Sequence, residues 1–173
     1  CAALDDGADT IISSASGCGV TVREYGEIFA RDPDYAERAK RVAERTMDAA
    51  EFLAGFDIDC EPATLACHVP CTLQHGQKLP GAVEGVLRSA GFTLTEVAEP
   101  HLCCGSAGTY VFTQPELSRQ LKARKLGHLE AGSPDVIVTA NVGCQLHLGS
   151  GTETPVRHWL SVVQERLRSI RPR

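Results

Sequence analysis

Cys71, the adjacent pair Cys103-Cys104 followed by Gly105, and Cys144 with His147 three places on are the residues whose types and spacing can do chemistry in this chain. Neighbouring Cα atoms lie about 3.8 Å apart, below the roughly 4.4 Å lower limit of an unstrained disulfide, so Cys103 and Cys104 do not bridge each other comfortably. As thiolates on a loop they can instead bind one or two metal atoms, and Gly105 lets the backbone come close and turn. Clustered soft thiolates select iron–sulfur clusters, zinc or copper(I). An isolated cysteine is more often a small buried hydrophobe than a ligand. Cys67, inside the apolar run Leu65-Ala66-Cys67, fits that description, and Cys60 and Cys1 read as incidental. The ligand reading belongs to Cys71, Cys103, Cys104 and Cys144 as a set.

His68, His75, His101 and His147 all lie within four residues of one of these cysteines. Singly, each fits a helix cap, a hydrogen-bond donor behind a ligand or a satisfied surface group. His147, in the arrangement Cys-x-x-His, is the one that reads as a candidate metal ligand. The glycine-rich turns at 105–108 and 149–151 match no nucleotide fingerprint and are assigned to turns.

The elements that must position these residues alternate. Residues 9–14 read as a strand, 15–19 as a turn, and a helix follows to about Ala30. A second helix starts at Asp32-Pro33 and repeats its apolar positions until Gly55, after which 56–63 reads as an aperiodic linker. Strands are expected at 64–69, 92–97, 135–140 and near Val156. Helices are expected over about 75–90 and 115–130, after Cys144, and from His158 onward. That order predicts an α/β fold, a mainly parallel sheet flanked by helices, with each candidate cysteine just after a strand and therefore at one sheet edge.

Asp9-Thr-Ile-Ile-Ser-Ser-Ala-Ser-Gly-Cys18 also lies against Asp135-Val-Ile-Val-Thr-Ala-Asn-Val-Gly-Cys144, with identities at the first, third, ninth and tenth places. The expected organisation is the tail of a first repeat over 1–55, a linker over 56–63, and one complete unit over 64–173. Cys18, the counterpart of Cys144, then lacks the partners of its own unit.

The chain has 173 residues, enough for a core without staples, and 17 basic against 22 acidic residues give a net charge of −5. With its basic residues scattered, nucleic acid is not expected as a partner. No apolar run approaches the roughly 18 residues of a spanning helix, leaving peripheral membrane contact at most. Eight cysteines in a helix-rich chain of ordinary apolar content favour metal or redox chemistry over a disulfide framework. Opening at Cys1 without Met or a leader pattern, the chain reads as a part of something longer.

The segments His68-Val-Pro-Cys71-Thr-Leu-Gln-His75, His101-Leu-Cys-Cys-Gly-Ser-Ala-Gly-Thr-Tyr110 and Thr139-Ala-Asn-Val-Gly-Cys-Gln-Leu-His147 resemble the cysteine-rich CCG domain. This duplicated module occurs in heterodisulfide reductases, succinate-dehydrogenase-type CCG subunits, lactate-utilisation proteins and glycolate oxidase iron–sulfur subunits. The motifs are most similar to the last group, and the resemblance continues through Ser16–Gly26 and Thr154–Trp159. It implies a cytoplasmic subunit, peripheral to the inner face of the cell membrane, that conducts electrons without itself being catalytic. FAD-containing subunits of a glycolate dehydrogenase would oxidise glycolate to glyoxylate, and a quinone-type acceptor would take the electrons.

The implied cofactor is an iron–sulfur cluster of 4Fe–4S type on Cys71, Cys103, Cys104 and Cys144. The family's fuller motif ends in Cys-x-x-Cys, where this chain has His147. A four-thiolate cluster, a mixed Cys/His cluster, a zinc ion or, in an isolated fragment, no metal are therefore all open. The competing functions are a structural zinc module and a thiol–disulfide redox subunit like the heterodisulfide reductases.

Overall fold

The short runs Leu65-Ala66-Cys67 and Val136-Ile137-Val138 are apolar on both sides, as strands covered on both faces must be. The structure, a computed structural model, describes residues 2–5 and 7–173, so Cys1 lies outside the described residues. The chain runs α1 (Ala2–Asp5), β1 (Ile11–Ser13), α2 (Ser16–Arg23), α3 (Tyr25–Ile28), α4 (Ala36–Glu44), β2 (Thr46–Asp48), α5 (Ala49–Leu53) and β3 (Phe56–Cys60). It continues with β4 (Thr64–His68), a π-helical turn (Thr72–Gly76), α6 (Ala82–Ser89), β5 (Thr93–Leu94), α7 (Tyr110–Thr113) and α8 (Pro115–Glu130). The last elements are β6 (Val136–Thr139), α9 (Val142–Gly149), β7 (Val156–His158), α10 (Trp159–Arg166) and β8 (Leu167–Pro172).

The main sheet has the order β5-β4-β6-β7 and is parallel throughout. Along β4 and β6 the side chains alternate. Leu65 and Val138 pack with Val83 and Leu87 of α6 and with Trp159 and Val163 of α10. Ala66 and Ile137 pack with Leu126 and Leu129 of α8 and Leu148 of α9. Helices thus cover both faces, giving the expected α/β architecture. The chain leaves β4 toward the α6 face and leaves β6 toward the α9 face, although the two strands are neighbours. Their carboxyl ends part there, the place where open α/β sheets form a crevice.

The segment before β3 forms its own two-stranded parallel sheet, β1 with β2, and docks against the main unit through Ser16. The Ser16 N–H donates to the Ala140 carbonyl at 3.0 Å, and its hydroxyl lies 2.8 Å from that of Thr72. Gln77 Nε2 donates to the Ser16 carbonyl at 3.1 Å and to Asp48 Oδ2 at 3.2 Å. Gly76 makes the close approach of α2 feasible, since a Cβ there would sit 2.6 Å from Val20 Cγ2.

Cys18 and Cys144 are each the third residue of a helix that follows a parallel strand, in α2 and α9. In both halves the next parallel strand then runs straight into a helix capped by its own last residue: Asp48 accepts from the Ala50 N–H, and His158 Nδ1 from the Leu160 N–H.

Several elements differ from the expectation. Residues 15–19 are not a free turn, because α2 already begins at Ser16, just as α9 begins at Val142 rather than after Cys144. The expected helix to Gly55 is interrupted by β2, whose pairing with β1 is a non-local gain that local periodicity does not register. The expected helix over 75–90 is a π-helical turn, then α6 from Ala82, with Pro80-Gly81 between them. The stretch read as a linker contains β3, antiparallel to β8, and the terminal helix gives way to β8 at Leu167. Ile58 and Cys60 of β3 point inward while Asp57 and Asp59 are exposed.

Asp48, 1% exposed, caps α5 and also anchors Gln77 of the main unit. Asp48→Ala should therefore lower stability by about 1–2 kcal/mol, the size of a lost helix cap. Urea unfolding followed by Trp159 fluorescence checks this as a lower midpoint with unchanged slope.

Candidate metal centre

Three loops deliver the four cysteines to the crevice between β4 and β6. Cys71 ends the loop after β4, Cys103 and Cys104 lie on the long connection after β5, and Cys144 stands in the first turn of α9. Asn141 fixes that turn, its Oδ1 accepting from the N–H groups of Gly143 at 2.9 Å and Cys144 at 3.2 Å. Together with Pro70, Thr72, Ser106 and Gly143, the four cysteines line one pocket of about 280 Å³. Cys104 and Cys144 are buried, Cys103 is half-buried and Cys71 is exposed at the mouth. The Cys104 and Cys144 sulfurs are 3.2 Å apart.

The doublet loop is held from behind by α8. Gly105 adopts φ +90°, and a Cβ on it would come within 2.5 Å of the Ser118 carbonyl. The Ser118 hydroxyl donates to the Gly105 carbonyl at 2.8 Å. Upstream, the Glu99 carboxylate is clamped by Arg124 and His128, while the fully buried Lys125 ammonium donates to the carbonyls of Glu99 at 3.1 Å and Pro100 at 3.3 Å. The N–H groups of Gly105 and Ser106 point at the Cys103 and Cys104 sulfurs, at 3.3 and 3.5 Å.

The histidines separate clearly. His75 and His101 are exposed. His147, the sequence candidate for a ligand, places Nε2 3.3 Å from the Ser118 hydroxyl, so it braces the doublet loop behind Gly105. His68, which no motif spacing singles out, points into the centre: its ligand atom and those of Cys104 and Cys144 all lie within 4.8 Å of one another. The one available signal was its place at the end of β4, two residues after inward-facing Ala66, which puts it on the α8/α9 face. Cys67 and Cys60 pack in the apolar cluster on the other face, and Cys18 is exposed on α2.

Four thiols this close cannot all ionise. Their protonation alternates along the row: hydrogen bonds from Cys104 and Cys71 pull Cys103 well below the usual thiol range, and one from Cys104 lowers Cys144 to about 6. Cys71, bonded to Cys103, and Cys104, bonded to Cys103 and Cys144 and buried, are pushed far up. Soft sulfurs with backbone N–H donors and retained protons form a donor set that a cation would complete by displacing those protons.

In the metal-free chain the lowered pKa of the half-buried Cys103 leads to the expectation of a thiolate at pH 7, whose alkylation rate should stay flat from pH 7 to 8. Exposed Cys71 keeps its proton, so its slower rate should climb about tenfold over that unit, as for a thiol titrating above it. Peptide mapping by mass spectrometry after timed alkylation reads both. Gly105→Ala, which forces a side chain into the Ser118 backbone at positive φ, should destabilise the protein by more than about 1 kcal/mol and reduce bound metal. Thermal melting and metal analysis check it.

Residues 65–149 match the model of the cysteine-rich domain CCG. Over 169 residues the chain is 50% identical to the glycolate oxidase iron–sulfur subunit of Escherichia coli (strain K12), covering 95% of this chain and 42% of that protein. It is 28% identical over 171 residues to lactate utilization protein A of Shouchella clausii (strain KSM-K16), covering 92% and 71% of the two chains. With the uncharacterized protein YkgE of Escherichia coli (strain K12) it shares 30% identity over 176 residues, 95% of this chain and 74% of that one. The chain thus spans less than half the length of the first of these relatives. With its thiols gathered at the sheet edge and these likenesses in sequence, the chain belongs to the family of CCG cysteine-rich domain proteins.

Proposed function

We propose that this chain is part of an iron–sulfur electron-transfer subunit of a 2-hydroxy-acid oxidoreductase. A flavin-containing partner oxidises glycolate, and the electrons pass through the subunit toward a quinone-type acceptor. The observation that carries the reading is the gathering of Cys71, Cys103, Cys104 and Cys144 around one pocket. The substrate and partner rest on the name of the Escherichia coli relative, the iron–sulfur subunit of glycolate oxidase.

Cys71, Cys103, Cys104 and Cys144 would hold the cluster, which supplies one-electron uptake and release. The Gly105 and Ser106 N–H groups direct positive dipoles at two of the sulfurs, favouring the more negative, reduced state. His147 keeps the doublet loop in place. A single ion needs about the volume of one water, roughly 30 Å³, so a pocket of about 280 Å³ suits a multi-atom group better. All described cysteines are free, which suits a cytoplasmic, reducing setting, and quinone reduction would bring the subunit to the inner membrane surface. Among the described residues no helix is long and apolar enough to cross a membrane. The segment before β3 is the tail of a preceding CCG repeat, a reading supported by the matched places of Cys18 and Cys144.

The second reading, a structural zinc ion, is favoured by the tight grouping of Cys104, Cys144 and His68.

Anaerobically purified protein, in complex with its flavin partner, should contain iron and sulfide. The double variant Cys103→Ser, Cys104→Ser should hold less of both and lose glycolate-dependent dye reduction by about tenfold or more. Unchanged iron in the double variant, or stoichiometric zinc in place of iron, would overturn the proposal.

A further inference from the structure

His68 is 1% exposed, and neither of its ring nitrogens has a hydrogen-bond partner. A polar group left unsatisfied in an interior keeps its full desolvation penalty, and native structures seldom tolerate that without a reason. The heteroatoms gathered around this ring are the Cys104 and Cys144 sulfurs, with all three ligand atoms inside 4.8 Å of one another. The three atoms are therefore close enough to serve one inorganic centre. His68 lies in β4, within the sheet, so the backbone fixes its direction more tightly than that of any loop cysteine.

Directly across the ladder, Thr139 of β6 pairs with His68 and faces the same side. Its hydroxyl is also buried and without a partner. A metal-bound imidazole needs an acceptor for its second nitrogen, and that hydroxyl stands on the adjacent strand. His147 is not among these grouped donors, and its Nε2 lies against the Ser118 hydroxyl.

We propose that His68 is a nitrogen ligand of the centre, standing beside the Cys104 and Cys144 sulfurs, so that the site is a mixed Cys/His centre rather than a four-thiolate one. This rests on the iron–sulfur reading above. A neutral imidazole replaces what would otherwise be an anionic thiolate, which makes the reduced state easier to reach, as histidine ligation does in other iron–sulfur proteins.

The test uses the anaerobically isolated complex with ¹⁵N-labelled histidine, comparing wild type, His68→Cys and His147→Gln by pulsed EPR, redox titration and iron analysis. Wild type and His147→Gln should show a strong hyperfine coupling to a bound histidine nitrogen. His68→Cys should keep its iron, lose that coupling and shift the midpoint potential downward. Loss of the coupling in His147→Gln, or its persistence in His68→Cys, overturns the proposal. Should His68→Cys fail to fold, the wild-type and His147→Gln spectra still decide. Iron that depends on Cys103 and Cys104 without any bound-nitrogen coupling in wild type sinks the histidine ligand alone, whereas iron indifferent to those cysteines sinks the iron–sulfur reading itself.

Discussion

Mutual repulsion among four ionisable sulfurs is the constraint around which this molecule is arranged. Brought to one crevice, the thiols must either share protons or share a cation, and the alternation of lowered and raised acidities along the row is the proton-sharing state. The fold holds the sulfurs together regardless. Two neighbouring parallel strands send their chains to opposite faces, a glycine admits a turn no other residue fits, and an asparagine pins the first turn of α9. Each of these devices acts on backbone, so the sulfurs stay gathered even when nothing neutralises them.

The broad architecture was legible because apolar runs of strand length alternate with helical stretches, and because every candidate cysteine follows such a run. Legibility failed where pairing is non-local. Thr46–Asp48 becomes a strand only because β1 lies beside it, and Asp48 with Glu51 carries a capping signal that the apolar repeat of the surrounding stretch concealed. Phe56-Asp-Ile-Asp-Cys60 does alternate, but over too few residues to outweigh its turn-like composition, and its partner β8 lies at the far end of the sequence.

Among the site residues, the cysteines announced themselves by type and spacing. His147 looked the better ligand of the histidines because it completes a short motif, whereas orientation depends on what lies behind the loop, and Ser118 on a separate helix takes its nitrogen. His68 heads one of the cysteine-bearing segments, but no ligand spacing there singles it out. Its role depends on strand parity and on burial, neither of which a residue spacing reports. The docking of the first segment through Ser16 was likewise invisible, since the contact joins residues far apart in sequence.

Lys125 ties the doublet loop to α8 by a different kind of force. Its ammonium sits at zero exposure with the Glu99 and Pro100 carbonyls as acceptors, burial lowering its pKa while the Cys104 and Cys67 sulfurs pull it back. Were the loop to swing away, a charge would be stranded in an apolar interior, at a cost of several kcal/mol. The loop is thereby stiffened against a change of charge in the neighbouring pocket. A scaffold that does not rearrange when its contents change charge lets that charge move with little else moving.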